Sequence, residues 1–375
     1  MKLAIISHTE HYKKADGTIV GWGPTINEIN HLLEVFDTIY HVAMLHETEA
    51  PLSALPYTSD RIKFVSLKPL GGRTLQDKFS LLKQAPEVIR VVKTTLKEVD
   101  YFQFRAPTGI GVYVIPYISL FVKKTGWFKY AGNWNQKNPP LGYRLQRGML
   151  KIQSRKVTIN GTWKNQPNHC ITFENPCLKT SDVTEGIQIQ ETWQKPKALS
   201  FCYVGRLEDE KGVRRIIKAF TNLSTIYKEQ VSEVHLVGDG QDMEAYKGLA
   251  QDIGVRITFH GFLSRNQVFK IFKQSDVFVM PTTASEGFPK VIAEAANFGC
   301  IPIVSNISSI GQYIKNNENG ILLETVTENH LKNAIENILE WDNVTFKKVM
   351  TQNRLFVKDF TYEHYNFKVK KLLGL

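Results

Sequence analysis

Residues 199–212, LSFCYVGRLEDEKG, followed by residues 213–227, VRRIIKAFTNLSTIY, decide the fold. Leu199 to Val204 is a short, nearly continuous apolar run, the pattern of a strand buried on both faces. After it, Val213, Ile216, Ile217, Phe220, Leu223, Ile226 and Tyr227 recur at three- and four-residue spacing and define one apolar helix face. Further strands read at Glu233 to Val237, Arg256 to Phe259, Asp276 to Met280 and Ile301 to Val304. Strand, helix, strand in repetition implies a parallel sheet wrapped on both faces. Such sheets bind ligands beyond the carboxyl ends of their strands, so the chemistry is sought just after each strand.

The first half alternates in the same way. Strands read at Lys2 to Ser7, Tyr40 to Met44, Lys63 to Ser66, Phe102 to Arg105 and Trp127 to Tyr130, with a helix near Thr25 to Val35. The polar segment Gln188 to Lys197, with Pro196 near its end, reads as a linker. At 375 residues the chain has room for two or three domains. The expected division is one α/β domain over 1–192, a second over 193–360, and a closing helix over 361–375 packing back on the first domain. In that helix Tyr362, Tyr365, Phe367 and Leu372 are helically spaced.

The net charge of +11 is localised. Between Asp100 and Glu174 there is no acidic residue, whereas Arg105, Lys123, Lys124, Lys129, Lys137, Arg144, Arg147, Lys151, Arg155, Lys156 and Lys164 are all positive; elsewhere the two signs balance. Tyr113, Tyr117, Phe121, Trp127, Phe128, Tyr130, Trp134 and Tyr143 are interleaved with them. This combination fits an anionic membrane surface or a localised anionic partner. No RNA-binding signature accompanies it, so no nucleic-acid partner is expected. Cys170, Cys177, Cys202 and Cys300 lack the spacing of a zinc ribbon or a disulfide framework, which suits a reducing compartment. The apolar run from Gly109 to Val122 falls short of a bilayer crossing. The expected location is cytoplasmic, with peripheral attachment to the inner face of the membrane.

Two elements in the second half carry chemistry. Arg206 and Lys211 follow the first strand and precede a helix, where two cations beside free backbone N–H groups suit a phosphate or diphosphate. Residues 281–294, PTTASEGFPKVIAE, place a loop after a strand, Pro289 in the first turn of a helix, and Glu286 and Glu294 eight residues apart. That separation lets the two carboxylates meet different parts of one ligand. As a helix-surface residue and a helix-terminus partner, respectively, Glu294 and Glu286 would need no ligand.

With these residues quoted, the sequence resembles the family 4 retaining glycosyltransferases of the GT-B fold, an α/β architecture of two Rossmann-like domains facing a central cleft. The resemblance rests on Tyr203 to Leu207 with Lys211 and Gly212, Val237 to Gly240, His260 and Gly261, Ser285 to Pro289 with Glu294, and Gly299 with Pro302. It implies transfer of a hexose from a nucleotide diphosphate-sugar to a glycan or lipid-linked acceptor, as in cell-surface polysaccharide or lipopolysaccharide synthesis. Arg206, Lys211 and Glu286 would be catalytic. Donor-binding residues would be Gly21, Gly23, Gly205, Arg206, Lys211, Gly238, Gly240, Glu286, Gly287, Phe288, Pro289 and Glu294, with the ribose on Glu294. The first domain of this fold receives the acceptor, and His8, Arg105, Lys123, Lys124, Lys129, Arg144 and Arg147 are its candidate contacts. Arg105 stands in the region where family members often place a histidine. No Asp-x-Asp pair occurs, so metal-independent catalysis without a cofactor is expected. The alternatives are a nucleotide-sugar epimerase of the same fold and a non-catalytic sugar-binding relative.

Overall fold

The computed structural model describes residues 1–72 and 75–375, the side chains of 75–78 excepted. It divides into two compact units. Met1–Asn175 with His364–Leu375 form the first, and Pro176–Glu363 form the second.

The first unit is built on strands β1 (Lys2–Lys13), β2 (Ile19–Trp22), β3 (Thr38–His46), β4 (Ala54–Pro56), β5 (Ile62–Leu67), β6 (Tyr101–Ala106), β7 (Gly126–Tyr130), β8 (Val157–Ile159) and β9 (Cys170–Thr172). Seven of them are parallel, in the order β5-β3-β1-β6-β7-β8-β9. A register break in β1 between Ile6 and Glu10 lets the strand run on. Its extension pairs antiparallel with β2, which in turn pairs with β4. Alternate residues of β1 serve opposite faces of the sheet, as the two-residue strand period requires. Ala4 and Ile6 join Phe102, Phe104, Val92 and Val114 on one side, while Leu3 and Ile5 join Ile29, Leu32, Trp127, Tyr365 and Val369 on the other.

Tyr365 and Val369 come from the helix Tyr362–Leu373. Asn366 Nδ2 donates to His31 O at 2.9 Å and Lys368 Nζ pairs with Glu174 at 2.6 Å, so the end of the chain completes the first unit's core.

The second unit holds β10 (Leu199–Val204), β11 (Val231–Val237), β12 (Ile257–Gly261), β13 (Val277–Met280), β14 (Ile301–Ser305) and β15 (Ile321–Leu323). All are parallel, in the order β12-β11-β10-β13-β14-β15. The helix Val213–Thr221 buries Val213, Ile216, Ile217 and Phe220 as its stripe requires. That stripe stops at Leu223. Ser224 O begins a separate turn, Thr225–Lys228, and Ile226 is 72 % exposed rather than part of the core face.

The units divide at Asn175/Pro176 and Glu363/His364, not at 192/193 and 360/361. Half of the expected linker, residues 188–192, is the end of a helix, Thr180–Thr192, that belongs to the second unit. A Cβ on Gly186 would lie 2.2 Å from Asn297 O, so this helix and the helix Lys290–Asn297 touch backbone to backbone. Its polar residues bond across that contact. Gln190 Nε2 donates to Asn297 O at 2.9 Å, and Gln190 Oε1 accepts from Arg354 Nε at 2.9 Å.

Candidate active site

Backbone contacts lock together the loops that leave β10, β11 and β13. Leu207 N donates to Asp239 O at 2.9 Å. Gly238 has φ +134°, and a Cβ there would meet Gly205 O at 1.8 Å; one on Gly240 would meet Leu207 O at 2.1 Å. No side chain fits at either position. Gly212, at φ +96°, ends a 3-10 turn (Asp209–Lys211), starts the helix Val213–Thr221, and would bring a Cβ within 2.5 Å of Pro281 O. Thr283 N donates to Glu210 O at 2.8 Å and Arg215 Nε to Pro281 O at 3.1 Å. The segment carrying Lys211 is thus held against the segment carrying Glu286 at one end of the sheet.

Lys211 Nζ donates directly to Glu286 Oε1. The lysine is 8 % exposed, and the Glu286 side chain is 41 % exposed and open to solvent. Burial, then the nearby Arg206 charge, draws the Lys211 ammonium below the ordinary lysine range, opposed by Glu208 and Glu210. Arg206 itself is largely exposed, at 70 % of its side chain, and pairs with Glu208 at 2.8 Å. The result is two cations, each paired with a solvent-accessible carboxylate, beside the first helix start, a disposition able to receive a diphosphate and the sugar attached to it.

Beyond Glu286, Gly287 O accepts from Ser309 Oγ at 3.2 Å. Phe288 is buried between the Tyr313 and Phe360 rings, with centroids at 4.8 and 4.7 Å. Phe288 therefore anchors the loop from below. Pro289 sits at the N-cap of the helix Lys290–Asn297, one position ahead of the first turn.

Glu294 has a different partner. Its carboxylate, 14 % exposed, faces Arg265 Nε at 3.9 Å. Arg265 also donates to Asp182 Oδ2 at 3.1 Å and to Cys177 O. Burial raises the Glu294 pKa above the usual carboxylate range, and Arg265 and Lys290 oppose that rise. Arg265 and Asp182 went unnoticed in the sequence because nothing in their spacing connects residues so far apart along the chain.

In the first unit several expected contacts are used internally. Glu28 Oε1 accepts from Arg105 Nη2 at 2.8 Å and Lys129 Nζ at 2.6 Å, and Lys129 also reaches Tyr365 OH at 3.3 Å. Lys129 is 4 % exposed, so it is a core cation rather than a surface contact for an acceptor. Lys124 Nζ donates to Val99 O. Arg147 donates to Trp134 O and Gln136 O at 2.8 and 3.1 Å. Lys123 and Arg144 are exposed.

His8 Nε2 bonds Leu70 O at 2.6 Å while its Nδ1 is buried without a partner, and burial lowers its pKa. The Gly21-to-Pro24 segment is not an open loop. Gly21 lies in β2, where a Cβ would strike the His11 ring at 2.5 Å, and Gly23 opens the helix Gly23–Leu32 with a Cβ position 2.8 Å from Ser53 O. Packing accounts for both glycines. Trp127, Phe128, Tyr130 and Trp134 are likewise core residues, whereas Phe121 and Tyr143 face outward.

A buried chain of polar groups lies beside these glycines. His11 Nδ1 bonds Thr9 O at 3.0 Å, which requires the proton on Nδ1 and leaves Nε2 to accept from Tyr57 OH at 2.8 Å. Tyr57 OH then accepts from His41 Nδ1 at 2.7 Å, and Ser7 Oγ lies 2.8 Å from His41 Nε2 and 2.9 Å from Thr9 Oγ1. Burial depresses the His11 pKa to about 4 and the His41 pKa well below 6.5.

Residues 187–354 match the family model for glycosyl transferases group 1. The matched segment covers most of the second unit and less than half of the chain. An uncharacterized glycosyltransferase of Methanocaldococcus jannaschii is 28 % identical over 191 residues, 51 % of this chain and 47 % of the relative, so the chain spans about half of that relative's length. The lipopolysaccharide 1,6-galactosyltransferase of Salmonella typhimurium is 32 % identical over 116 residues, 30 % of this chain and 31 % of that protein. Among solved structures, the Anabaena protein HepE in complex with UDP superimposes with a TM-score of 0.71 at 15 % identity over all of both chains. The fold is GT-B. Among the described residues, no helix is long and apolar enough to cross a membrane.

Proposed function

We propose that the protein is a retaining, nucleotide-sugar-dependent hexosyltransferase of family 4 that acts without a metal and delivers its sugar to a glycan or lipid-linked acceptor in cell-surface polysaccharide synthesis. The observation that carries the reading is the Lys211–Glu286 pair, held where the loops after β10 and β13 lock together and beside Arg206. Names of similar proteins support it. One relative is a lipopolysaccharide galactosyltransferase, another is a galactosyltransferase acting on a diphosphoundecaprenol-linked sugar, and HepE has been crystallised with UDP-glucose.

In this reaction the anomeric C–O bond breaks and its electron pair moves onto the leaving diphosphate. The acceptor hydroxyl oxygen forms the new bond to the anomeric carbon, and its proton leaves with the diphosphate or to solvent. Negative charge grows on the leaving oxygen, so fixed cations favour the transition state over the ground state. Lys211 and Arg206 perform that role. Glu286, which neutralises Lys211 in the structure, turns its exposed carboxylate to the sugar hydroxyls once the diphosphate takes over the ammonium. Glu294 meets the ribose, with Arg265 holding the carboxylate ionised against its burial.

The test is a panel of uridine, guanosine and adenosine diphosphate-sugars assayed for transfer and for slow hydrolysis, with the free diphosphates titrated by calorimetry. One base is expected to bind and its sugar to be turned over with retention at the anomeric carbon. Binding without turnover on any acceptor would favour a sugar-binding protein, and conversion of the donor to its epimer would replace the reading outright.

A further inference from the structure

The helix Leu141–Ile152 turns a row of apolar residues away from the core. Leu141, Leu145 and Ile152 are 82 %, 54 % and 86 % exposed, and with Gly148 they follow the spacing i, i+4, i+7, i+11 that puts side chains in one line. The opposite face, Gln146 and Leu150, is buried. Arg144, Arg147 and Lys151, at i, i+3 and i+7, form a second row flanking the apolar one. This is the inverse of a helix that uses its apolar stripe for the core.

The surroundings extend both rows. Arg147 ties residues 134 and 136 to the helix through their carbonyls, and Lys137, Asn138, Pro139, Leu141, Arg144 and Arg147 line an open pocket of about 430 Å³. Gln146 is bonded to both backbone groups of Thr108, so the helix Gly111–Phe121 lies alongside, and Arg155 Nη1 donates to Lys124 O at 2.9 Å where that helix ends. At that end Leu120 and Phe121 are 75 % and 74 % exposed next to exposed Lys123. No carboxylate belongs to the whole stretch from 101 to 173.

We propose that this face is a docking surface for an anionic phospholipid bilayer, with Leu141, Leu145, Ile152, Leu120 and Phe121 entering the headgroup–acyl boundary and Arg144, Lys151 and Lys123 meeting lipid phosphates. Charge decides the occupant. A second copy of the chain would bring the same row of cations, Arg144, Arg147 and Lys151, against itself, whereas an anionic bilayer offers both an apolar layer and negative charge at the depths these two rows require. The pocket beside Leu141 suits a lipid phosphate, its cations Lys137 and Arg144 standing at the mouth of an apolar insertion. The inference deepens the lipid-linked acceptor proposed above: docking brings the first unit to the surface where such an acceptor resides.

The experiment is vesicle flotation of the full chain with phosphatidylcholine alone and with phosphatidylcholine containing about a third phosphatidylglycerol. Flotation is expected only with the anionic vesicles, weakening steeply as salt rises. The triple variant L141S/L145S/I152S and the double variant R144E/K151E should each bind anionic vesicles more than about tenfold less tightly. Circular dichroism should be unchanged, since these side chains project from the fold. The triple variant should also keep its affinity for the nucleoside diphosphate that binds the wild type. Equal flotation with neutral and anionic vesicles, flotation of the variants like wild type, or a wild-type dimer that the triple variant dissolves while vesicles are ignored would each overturn the proposal. Donor binding is read without vesicles, so failure of the catalytic reading leaves flotation untouched, and failure of flotation leaves donor binding untouched.

Discussion

The two units use their cations in opposite ways. In the second unit Lys211 is paired to a half-exposed carboxylate on a loop, and Arg206 stands in solvent beside it. In the first, Arg105 and Lys129 converge on Glu28 inside the fold, next to Tyr365. Both arrangements join residues distant in sequence. Only the second unit's pair leaves room for a ligand to replace a partner. A basic residue after a strand is thus a candidate for phosphate binding only when no buried acid has claimed it, and Glu28, on a helix far earlier in the chain, was the acid to look for.

That contrast is open to direct tests. The largest effect is expected from Glu28→Ala, which strands two buried cations; breaking such a cluster costs about 3–5 kcal/mol, and urea melts should show the loss while nucleoside diphosphate affinity of the folded protein is unchanged. A normal melt would mean that Arg105 and Lys129 are free for other work. Next, Lys211→Ala should reduce turnover by a factor of about 10² to 10³, some 3–4 kcal/mol of transition-state stabilisation, without loss of secondary structure. Near-wild-type turnover would remove Lys211 from the chemistry.

The buried histidines of the first unit give the third test. His11 ionises at about 4 when folded and near 6.5 when unfolded, so below 6.5 the unfolded chain takes a proton that the folded one refuses. Stability is therefore retained above pH 6.5 and falls as pH drops toward 4, by about 3 kcal/mol for this group alone. Melts across that interval with wild type and with His11→Asn, which cannot titrate, should diverge; parallel curves would show that the chain through Tyr57 and His41 is already open. Arg206→Ala should leave stability within about 1 kcal/mol, because an exposed ion pair contributes little, yet weaken diphosphate binding measurably by calorimetry. Smallest of all is the effect of a chelator: turnover with EDTA should equal turnover without it. Loss of activity restored by magnesium or manganese would reassign the charge neutralisation from Lys211 and Arg206 to a metal.

The difference between the units also explains what could be read in advance. The strands β10, β11, β13 and β14 stand out because parallel strands buried on both faces are nearly continuous apolar runs, and the turn glycines Gly212, Gly238 and Gly240 prove to be positions where a Cβ would meet backbone at 2.5 Å or less. The nearness of Lys211 to Glu286 follows from the loops these strands and glycines hold together. By contrast, β8, β9 and β15 are three residues each, too short to show a period. The last turns of the helix Thr180–Thr192 read as part of a linker over 188–197 because the residues this helix buries fully are Gly186 and Gln190 rather than apolar side chains. Gly21 and Gly23, expected in a loop, lie in a strand and at a helix start: a glycine shows that something approaches closely, and here the visitor is the His11 ring or the Ser53 carbonyl. Side chains whose partner lies far along the chain, as Arg265 with Asp182 or Lys129 with Glu28, carry no local signal at all.

The last helix has a consequence for how the molecule is made. Tyr365 and Val369 are fully buried in the first unit's core, beneath Leu3 and Ile5, yet they are synthesised after every strand of the second unit. On the ribosome the usual order, in which the earlier domain closes first, is therefore reversed: the second unit has all its parts while the first still waits with one flank of its sheet uncovered. A message truncated after residue 363 would yield a chain whose newest part is sound and whose oldest part is unfinished.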